Sequence, residues 1–383
     1  MFVAETAGLP ELKAGDWNLP LLERLKNGTL QPGDDVRAIQ YESWQPPLFY
    51  LLAAPVYKLG PGDTPGHTTA AVFRLRLLDI VLGALTLGVA YLVGREVLSP
   101  RLATGVPLTL VGVPMFTSVS AAISADPLAN LLAGTLVLLL VRRLGQPRDA
   151  TLRWLLPLGL LLGLGLLTKL ALAIFVPLAL GVLAVRATRP LRAALLLLVV
   201  TGLTSAPWLF HQVTTYGWLD PLATNRHAAV VLDQQRFPGL SPAYLLDFAT
   251  VTFHSFWAQF GWMGVVAPER LYWVYGLWTA AAAIGLVRAW SSLFCQPAWR
   301  LLLLTVAAAV VALIGYNLTF LQFQGRYLFT ALVPIGALLV AGWAAWLPRP
   351  TRAWGVLLIG VLLVGLNAYA LTRVLVPGFA PAG

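Results

Sequence analysis

Apolar runs of about 20 residues recur along the chain, and no other feature of the sequence constrains its fold as strongly. A helix rises about 1.5 Å per residue, so roughly 20 residues cross the hydrocarbon core of a bilayer. Runs such as 193–200 (AALLLLVV) are apolar on every side, and strict alternation of apolar and polar residues is absent. Because lipid offers the backbone no hydrogen-bond partners, such runs form helices. The sequence therefore predicts an all-α, polytopic membrane helix bundle.

Composition supports this fold class and argues against others. Of the 383 residues, 58% are hydrophobic and 11% are charged, whereas a soluble domain carries roughly 25% charged residues. The net charge of +10 fits membrane topology, since the basic residues are scattered between the apolar runs. They form no basic stripe with interleaved aromatics, so no nucleic-acid partner is expected. The single cysteine, Cys295, excludes an intrachain disulfide.

Ten spans are predicted from the apolar runs. They lie near 72–94, 102–121, 127–141, 154–168, 170–185, 191–210, 271–289, 301–320, 327–347 and 353–372. The connections after the first, third, fifth, seventh and ninth spans carry 13 arginines and two acidic residues, whereas 13 of the 16 acidic residues fall on the opposite side. The positive-inside rule places the arginine-rich side in the cytoplasm.

This orientation divides the chain into four regions. They are an extracytoplasmic loop with an interfacial helix (1–69), six spans (70–210), a second extracytoplasmic loop (211–270) and four spans (271–383). The expected location is the cell (inner) membrane, with the active face outside the cytoplasm. Met1 then also lies outside, although nothing before residue 70 resembles a signal peptide. We therefore expect a further hydrophobic span before Met1 in the natural gene product.

Both long polar regions fall on the extracytoplasmic side, where we expect the function to lie. In YESWQPPLFY (41–50), two prolines favour an extended lead into an amphipathic segment that is too short to span, which predicts an interfacial helix over LFYLLAAPVYKLG (48–60). The second region contains FWAQFGWMG (256–264) together with charged residues and histidines. Regions of this length without a span are usually functional. An interfacial belt is the alternative role for their aromatic side chains.

Four charged residues lie inside or beside the predicted spans, and each has two interpretations. Asp126 precedes a proline and is either a functional acid or the N-cap of the next helix. Asp79 lies inside the first span, where a buried carboxylate is costly and often functional; a helix pair with Arg76 is the simpler explanation. Lys169 and Arg326 are lone cations at outer turns, and each belongs either to an anion site or to an anchor for lipid phosphate.

No cofactor is predicted, although a divalent metal stays open as an alternative. The four histidines are spread widely and show no HExxH spacing. Glu42 with His227 or His254 could hold a divalent ion. One carboxylate and one imidazole fall short of a recognisable ligand set.

Four motifs together resemble those of a known enzyme superfamily. They are YESWQPPLFYLLAAPVYKLG (41–60), AAISADPLANLLAG (121–134), GLGLLTKLALAIFVPLAL (163–180) and QGRYLFTALVPIGALLVAGW (324–343). In this order and spacing they resemble the GT-C superfamily of integral-membrane glycosyltransferases. The nearest members are the bacterial relatives of protein O-mannosyltransferases and of lipid A aminoarabinose transferases. With the spans between them, the motifs cover nearly the whole chain.

The resemblance implies transfer of a sugar from a polyprenyl-phosphate-linked donor to a hydroxyl of a lipid, glycan or protein acceptor, within the surrounding membrane lipids. It implies catalytic carboxylates at Asp126 and Glu42, since a carboxylate can accept the proton of the acceptor hydroxyl. It implies a donor-phosphate site at Lys169, Arg326 and Tyr327, since fixed cations stabilise a leaving phosphate. The expected substrate cavity adds five residues: Tyr41, Gln45, Arg226, His227 and Gln324.

One departure from the family pattern concerns the principal catalytic Asp, which in the family follows the first span. FVAETAGLPELKAGDW (2–17) is similar to the stretch after that motif, so the principal base is expected upstream of Met1. Asp34-Asp35 is a conceivable substitute, but a PGDD sequence is more typical of a turn. The alternative function is that of a non-catalytic or degenerate membrane protein, such as a lipid-binding scaffold or a transporter. The scarcity of polar residues in the middle of the spans favours the enzyme.

Overall fold

A computed structural model describes residues 44–59, 67–147, 152–222, 237–261 and 263–379, together with a few positions between 20 and 34 and position 224. These residues fold almost entirely into helices, so the predicted polytopic all-α bundle is confirmed. The helices of the first half are α1 (Leu48–Lys58), α2 (His67–Val97), α3 (Pro100–Ala103), α4 (Gly105–Val111), α5 (Pro114–Ser120), α6 (Asp126–Gly145), α7 (Leu152–Leu166), α8 (Phe175–Arg186) and α9 (Pro190–Tyr216). Those of the second half are α10 (Pro242–Trp257), α11 (Glu269–Arg288), α12 (Trp290–Phe294), α13 (Pro297–Asn317), α14 (Leu332–Trp346), α15 (Arg352–Ala370) and α16 (Val376–Gly378). Short 3-10 turns precede α8 (Leu170–Ile174) and α14 (Gly325–Ala331), and a π turn joins α15 to α16 (Leu371–Leu375).

Within the described ranges, six helical stretches are long and apolar enough to cross a membrane. They are Thr69–Val97, Asp126–Gly145, Pro190–Tyr216, Pro297–Asn317, Gly325–Trp346 and Arg352–Gly378. A seventh span results if the bent pair Pro100–Val111 and Pro114–Ser120 is counted as one. The other predicted spans coincide with α11 or with shorter apolar helices, so the number of ten spans stays a prediction.

The second predicted span, 102–121, is not a continuous helix. Its two parts meet at an angle of 71°. Pro114 has no backbone N–H and disfavours a helical conformation at the preceding residue, so Val113 is extended (φ −94°, ψ 104°). Gly112 allows a close approach at this bend, since a Cβ atom there would come within 2.4 Å of Cβ of Leu363. The predicted span therefore corresponds to a bent pair of helices, with α15 packed at the break.

Parts of the region 211–270, which the sequence predicts to be an extracytoplasmic loop, form local secondary structure. It contains α10, whose first turn is capped by Ser241 Oγ accepting a hydrogen bond from Tyr244 N (3.1 Å). A two-stranded antiparallel hairpin follows, with β1 (Gln259–Phe260) paired to β2 (Val265–Val266). The assignment of this region as an extracytoplasmic loop between spans stays a prediction, and α10, at 16 residues, is shorter than the roughly 20 residues that cross a bilayer.

Small residues let α11 and α14 touch through their backbones. A Cβ atom on Gly285 would lie 2.0 Å from the carbonyl oxygen of Gly342, so only glycine fits at this crossing. Two indole N–H groups on α14 donate across the interface, from Trp343 to Trp278 O (2.9 Å) and from Trp346 to Ala281 O (2.8 Å). Close backbone approach through small residues is the usual way in which membrane helices associate.

The two ends of the bundle differ in chemistry. At one end, Asp126 begins α6, and Leu48 N at the start of α1 donates to Leu167 O (2.8 Å) in the turn that follows α7. At the other end, Arg143 donates to the carbonyl of Arg186 (2.9 Å), and Arg142 pairs with Glu96 (2.8 Å). We call these the acidic end and the arginine end. Helix α6 runs between them over 20 residues, or about 30 Å, which is the thickness of a hydrocarbon core.

Candidate functional site

Asp126 gathers two cations at the acidic end of the bundle. Its carboxylate accepts a hydrogen bond from Lys169 Nζ, and Arg326 Nη1 lies 3.8 Å from its second oxygen. The three side chains are partly open to their surroundings, with 16% of Asp126 and 30% of each cation exposed. The N-cap interpretation of Asp126 is wrong, because the carboxylate makes no capping hydrogen bond and the N-cap position is Ala125. The structure therefore brings together three residues that the sequence predicts for the site.

Lys169 reaches this cluster because the chain breaks between two apolar helices. Helix α7 ends at Leu166, and Lys169 is extended (φ −159°, ψ 128°) before the 3-10 turn that leads into α8. Its backbone N–H still donates to Gly165 O (2.9 Å), so the break is tight. A lysine between apolar segments is costly unless it is paired, and the pairing with Asp126 supplies the counter-charge.

Tyr327 places its aromatic ring beside both cations. The ring centroid lies 5.6 Å from Lys169 Nζ and 5.9 Å from the guanidinium carbon of Arg326, within range of cation–π attraction. The phenol donates to Gln322 Oε1 (2.7 Å), which fixes the orientation of the ring. The predicted grouping of Tyr327 with the two cations is therefore present in the structure.

The turn before Arg326 is anchored on helix α10. Gly325 N donates to Ser255 Oγ (2.7 Å), and a Cβ atom at Gly325 would come 2.1 Å from Thr252 O. Gln324, predicted for the substrate cavity, is buried, and its side-chain oxygen accepts a hydrogen bond from Arg326 Nε (2.7 Å). Gln324 thus orients Arg326. Reasoning from the sequence missed Ser255 and Gly325, although the glycine beside the arginine in QGRY was a visible signal.

Asp79 is also part of this end of the bundle. The predicted pair with Arg76 is not formed, since Arg76 is exposed whereas Asp79 is fully buried. Asp79 Oδ2 accepts a hydrogen bond from Ser124 N (3.1 Å), and Ser124 Oγ accepts one from Asp126 N (3.3 Å). The buried carboxylate therefore holds the turn that presents Asp126. The cost of burying a carboxylate in the membrane marked Asp79 as a candidate in the sequence. Its partner could not be predicted, because Ser124 is 45 residues away along the chain.

The remaining predicted cavity residues are only partly described. Gln45 accepts a hydrogen bond from Tyr50 OH (3.2 Å) and lies just before Leu48, whose backbone bonds to the turn that leads to Lys169. Tyr41, Glu42, Arg226 and His227 lie outside the described residues, so their roles stay predictions.

Two further predictions concern alternative acids and metals. Asp34 accepts hydrogen bonds from Arg24 (2.6 Å) and from Gln31 N (2.8 Å), as expected of a turn former. Among the described residues, no three His, Cys, Asp or Glu side chains gather in a way that could hold a metal ion. His254, one of the suggested ligands, stacks on Tyr272 with centroids 3.6 Å apart. The described residues thus offer no metal ligand set around His254.

Comparison with known proteins gives a family match and several structural matches. Residues 45–211 match the family model of dolichyl-phosphate-mannose-protein mannosyltransferases. A comparison with curated protein sequences gives no match. The described fold is similar to the crystal structures of ArnT from Cupriavidus metallidurans in the apo state and bound to undecaprenyl phosphate. Both have a TM-score of 0.54 and 20% identity; the matches cover 95% and 100% of this chain and 60% and 64% of ArnT.

A second similar fold is that of an archaeal enzyme. The oligosaccharyltransferase of Archaeoglobus fulgidus, in a crystal structure tethered with an acceptor peptide, has a TM-score of 0.51 and 15% identity. This match covers 85% of the present chain and 47% of the archaeal chain. The chain thus spans about three fifths of ArnT and about half of the oligosaccharyltransferase. The resemblance to membrane glycosyltransferases inferred from the four motifs is confirmed at the level of the fold.

Proposed function

We propose that this chain, which has the fold of the GT-C superfamily of membrane glycosyltransferases, transfers a sugar from a polyprenyl-phosphate-linked donor to an acceptor hydroxyl. The observation that carries the proposal is the cluster of Asp126, Lys169 and Arg326 at one end of the bundle. One crystal structure with a similar fold is that of ArnT bound to undecaprenyl phosphate, and the matching family is that of the dolichyl-phosphate-mannose-protein mannosyltransferases. A polyprenyl phosphate is common to both.

The two cations suit the phosphate of such a donor. Lysine has three N–H donors, and Lys169 uses one of them on Asp126. Arg326 is oriented by Gln324 and keeps a 3.8 Å separation from Asp126, so its guanidinium can also meet an anion. Hydrogen bonds from cations to phosphate are short and strong, and they strengthen as charge develops on a leaving group. Lys169 and Arg326 would therefore stabilise the departing polyprenyl phosphate.

A carboxylate completes the reaction. The oxygen of the acceptor hydroxyl attacks the anomeric carbon, the bond from that carbon to the phosphate oxygen breaks, and the polyprenyl phosphate leaves with the electron pair. The hydroxyl proton passes to a carboxylate. Asp126 is the described carboxylate nearest to the cations, and Glu42 is the second candidate from the sequence. Because Asp126 already contacts two cations, it would also keep them at a fixed separation.

The acidic end is proposed to face away from the cytoplasm. The arginine end contains Arg142, Arg143 and Arg186, and arginines accumulate on the cytoplasmic side of membrane proteins. The acidic end lies about 30 Å from it along α6. Transfer would then occur at the extracytoplasmic face of the cell (inner) membrane, with a lipid, glycan or protein as acceptor.

Binding of undecaprenyl phosphate by the purified protein tests the proposal. Lys169→Ala and Arg326→Ala should each weaken binding by about 10- to 100-fold, since a hydrogen bond to a charged group contributes roughly 1.5–3 kcal/mol. The matched control is Arg142→Ala, which removes the same charge at the arginine end and should leave binding unchanged. Transfer of a labelled sugar from a polyprenyl-phosphate donor should fall in parallel. Unchanged binding in both cluster variants would refute the site.

A further inference from the structure

A second charged cavity lies at the arginine end of the bundle. Its volume is about 370 Å³, and it is formed where α11 ends, where α14 ends and where α15 begins. Three arginines line it: Arg288 at the end of α11, Arg349 in the connection from α14 to α15, and Arg352 at the start of α15. The lining also includes the apolar side chains of Leu98, Leu102 and Leu293. The cavity therefore combines three cationic groups with apolar surface.

The three arginines have no acidic partner among the residues that the structure describes. Arg288 stacks over the ring of Trp346 at 4.6 Å, and Arg352 Nε donates to Leu347 O (3.3 Å). Elsewhere at the same end, Arg142 pairs with Glu96 (2.8 Å). Three like charges around one cavity repel each other, and an anion between them removes that cost. The cavity is thus electrostatically suited to an anion.

The position of the cavity relative to the membrane indicates what kind of anion fits. The helical stretch Gly325–Trp346 begins at the acidic end and finishes beside the cavity, 22 residues or about 33 Å later. The cavity therefore lies at the opposite membrane surface from Asp126. Trp290 and Trp346 are about half exposed beside it, as is usual for aromatics at headgroup depth. An amphiphile with an anionic headgroup matches both the cationic and the apolar parts of this lining.

We propose that this cavity binds the headgroup phosphate of an anionic phospholipid. The three guanidiniums would hold the phosphate oxygens, and an acyl chain would lie along Leu98, Leu102 and Leu293. Basic cavities between membrane helices near the cytoplasmic surface bind anionic lipid headgroups for this reason. The proposal does not depend on the transfer reaction, since the site is a membrane thickness away from Lys169.

The test measures retention of phosphatidylglycerol by the purified protein, using native mass spectrometry with phosphatidylcholine as the zwitterionic comparison. Replacing all three arginines by glutamine should weaken phosphatidylglycerol binding by about 100-fold, since each lost hydrogen bond from a guanidinium to the phosphate contributes about 1 kcal/mol, or roughly fivefold. The matched control replaces three exposed arginines at the same end and should keep binding. These control positions are Arg153, Arg189 and Arg192.

Further arms separate the alternatives. Arg349→Gln alone changes an exposed side chain, so the variant should fold normally, and the loss of one guanidinium–phosphate contact should still weaken binding by about fivefold. Lys169→Ala should leave phosphatidylglycerol retention unchanged. Equal loss in the triple variant and its control, or equal retention of phosphatidylcholine, would overturn the proposal. Inorganic phosphate is the last probe. If it binds and phosphatidylglycerol does not displace it, the cavity takes a free anion, and the assignment to lipid is overturned.

Discussion

Replacing Lys169 by methionine should separate the stability of the charge cluster from its function. The substitution keeps the length of the side chain and leaves Asp126, which is 16% exposed, without its hydrogen-bonded cation. Removing one partner of a buried pair costs about 3–5 kcal/mol. Arg326 still lies 3.8 Å from the carboxylate, and unit charges at that distance attract by about 4 kcal/mol at an effective dielectric constant of about 20, before desolvation is subtracted. We therefore expect a loss of about 2 kcal/mol, below the usual range.

A double-mutant cycle makes this reasoning testable. Lys169→Met leaves the Asp126 carboxylate with one cation, and Asp126→Asn removes that carboxylate. The stability loss of the double variant should therefore be about 1–2 kcal/mol smaller than the sum of the two single losses. Thermal unfolding of the purified protein measures the stability, and undecaprenyl phosphate binding measures the function. Binding should remain lost in the double variant although stability is regained. Losses that add to within about 0.5 kcal/mol would show that Asp126 and Lys169 are not coupled.

Three other changes test the supports of the site. Gly325→Ala should lower undecaprenyl phosphate binding at least tenfold and reduce the unfolding temperature, because a Cβ atom would lie 2.3 Å from Phe256 N and displace the turn before Arg326. Asp79→Leu should destabilise the protein by about 1–3 kcal/mol in thermal unfolding, since Ser124 N loses its acceptor. Burial lowers the pKa of His254 below its usual 6.5 in the folded protein. As the pH drops, His254 is therefore protonated at a higher pH in the unfolded chain than in the folded one, and stability should fall below about pH 6.5. His254→Phe should flatten this dependence.

Control variants separate the proposed cause from other effects in each of these three predictions. Gly315→Ala places a methyl group in open space on α13, so it should leave binding unchanged and keep or slightly raise stability, because alanine is the better helix former. Asp79→Asn keeps a carbonyl oxygen that can accept from Ser124 N, so it should retain most of the stability that Asp79→Leu loses. If Asp79→Asn is as damaging as Asp79→Leu, the buried charge matters more than the hydrogen bond. A His254→Phe variant with the same pH profile as the unmodified protein would assign the dependence to other groups.

The sequence determined the class of fold and the types of residue at the site. Apolar runs of membrane length form helices for a local reason, since each helix satisfies its own backbone hydrogen bonds whatever its neighbours are. Charged residues inside such runs are few, so Asp126, Lys169 and Arg326 were identifiable as candidates before any contact was known. The motifs around them also indicated Tyr327.

Only the tertiary structure decided how these candidates meet. Lys169 is 43 residues from Asp126, and the oxygen that Asp79 offers to Ser124 is 45 residues away along the chain. Such contacts depend on how helices pack, and packing depends on shape, as the fit of Gly325 against α10 illustrates. The bend before Pro114 combines both levels, since the proline interrupts the helix locally and α15 packs against the break. Periodicity and composition predict each helix separately, without its neighbours. The site and the arginine cavity are each built from several helices, so they depend on how those helices pack.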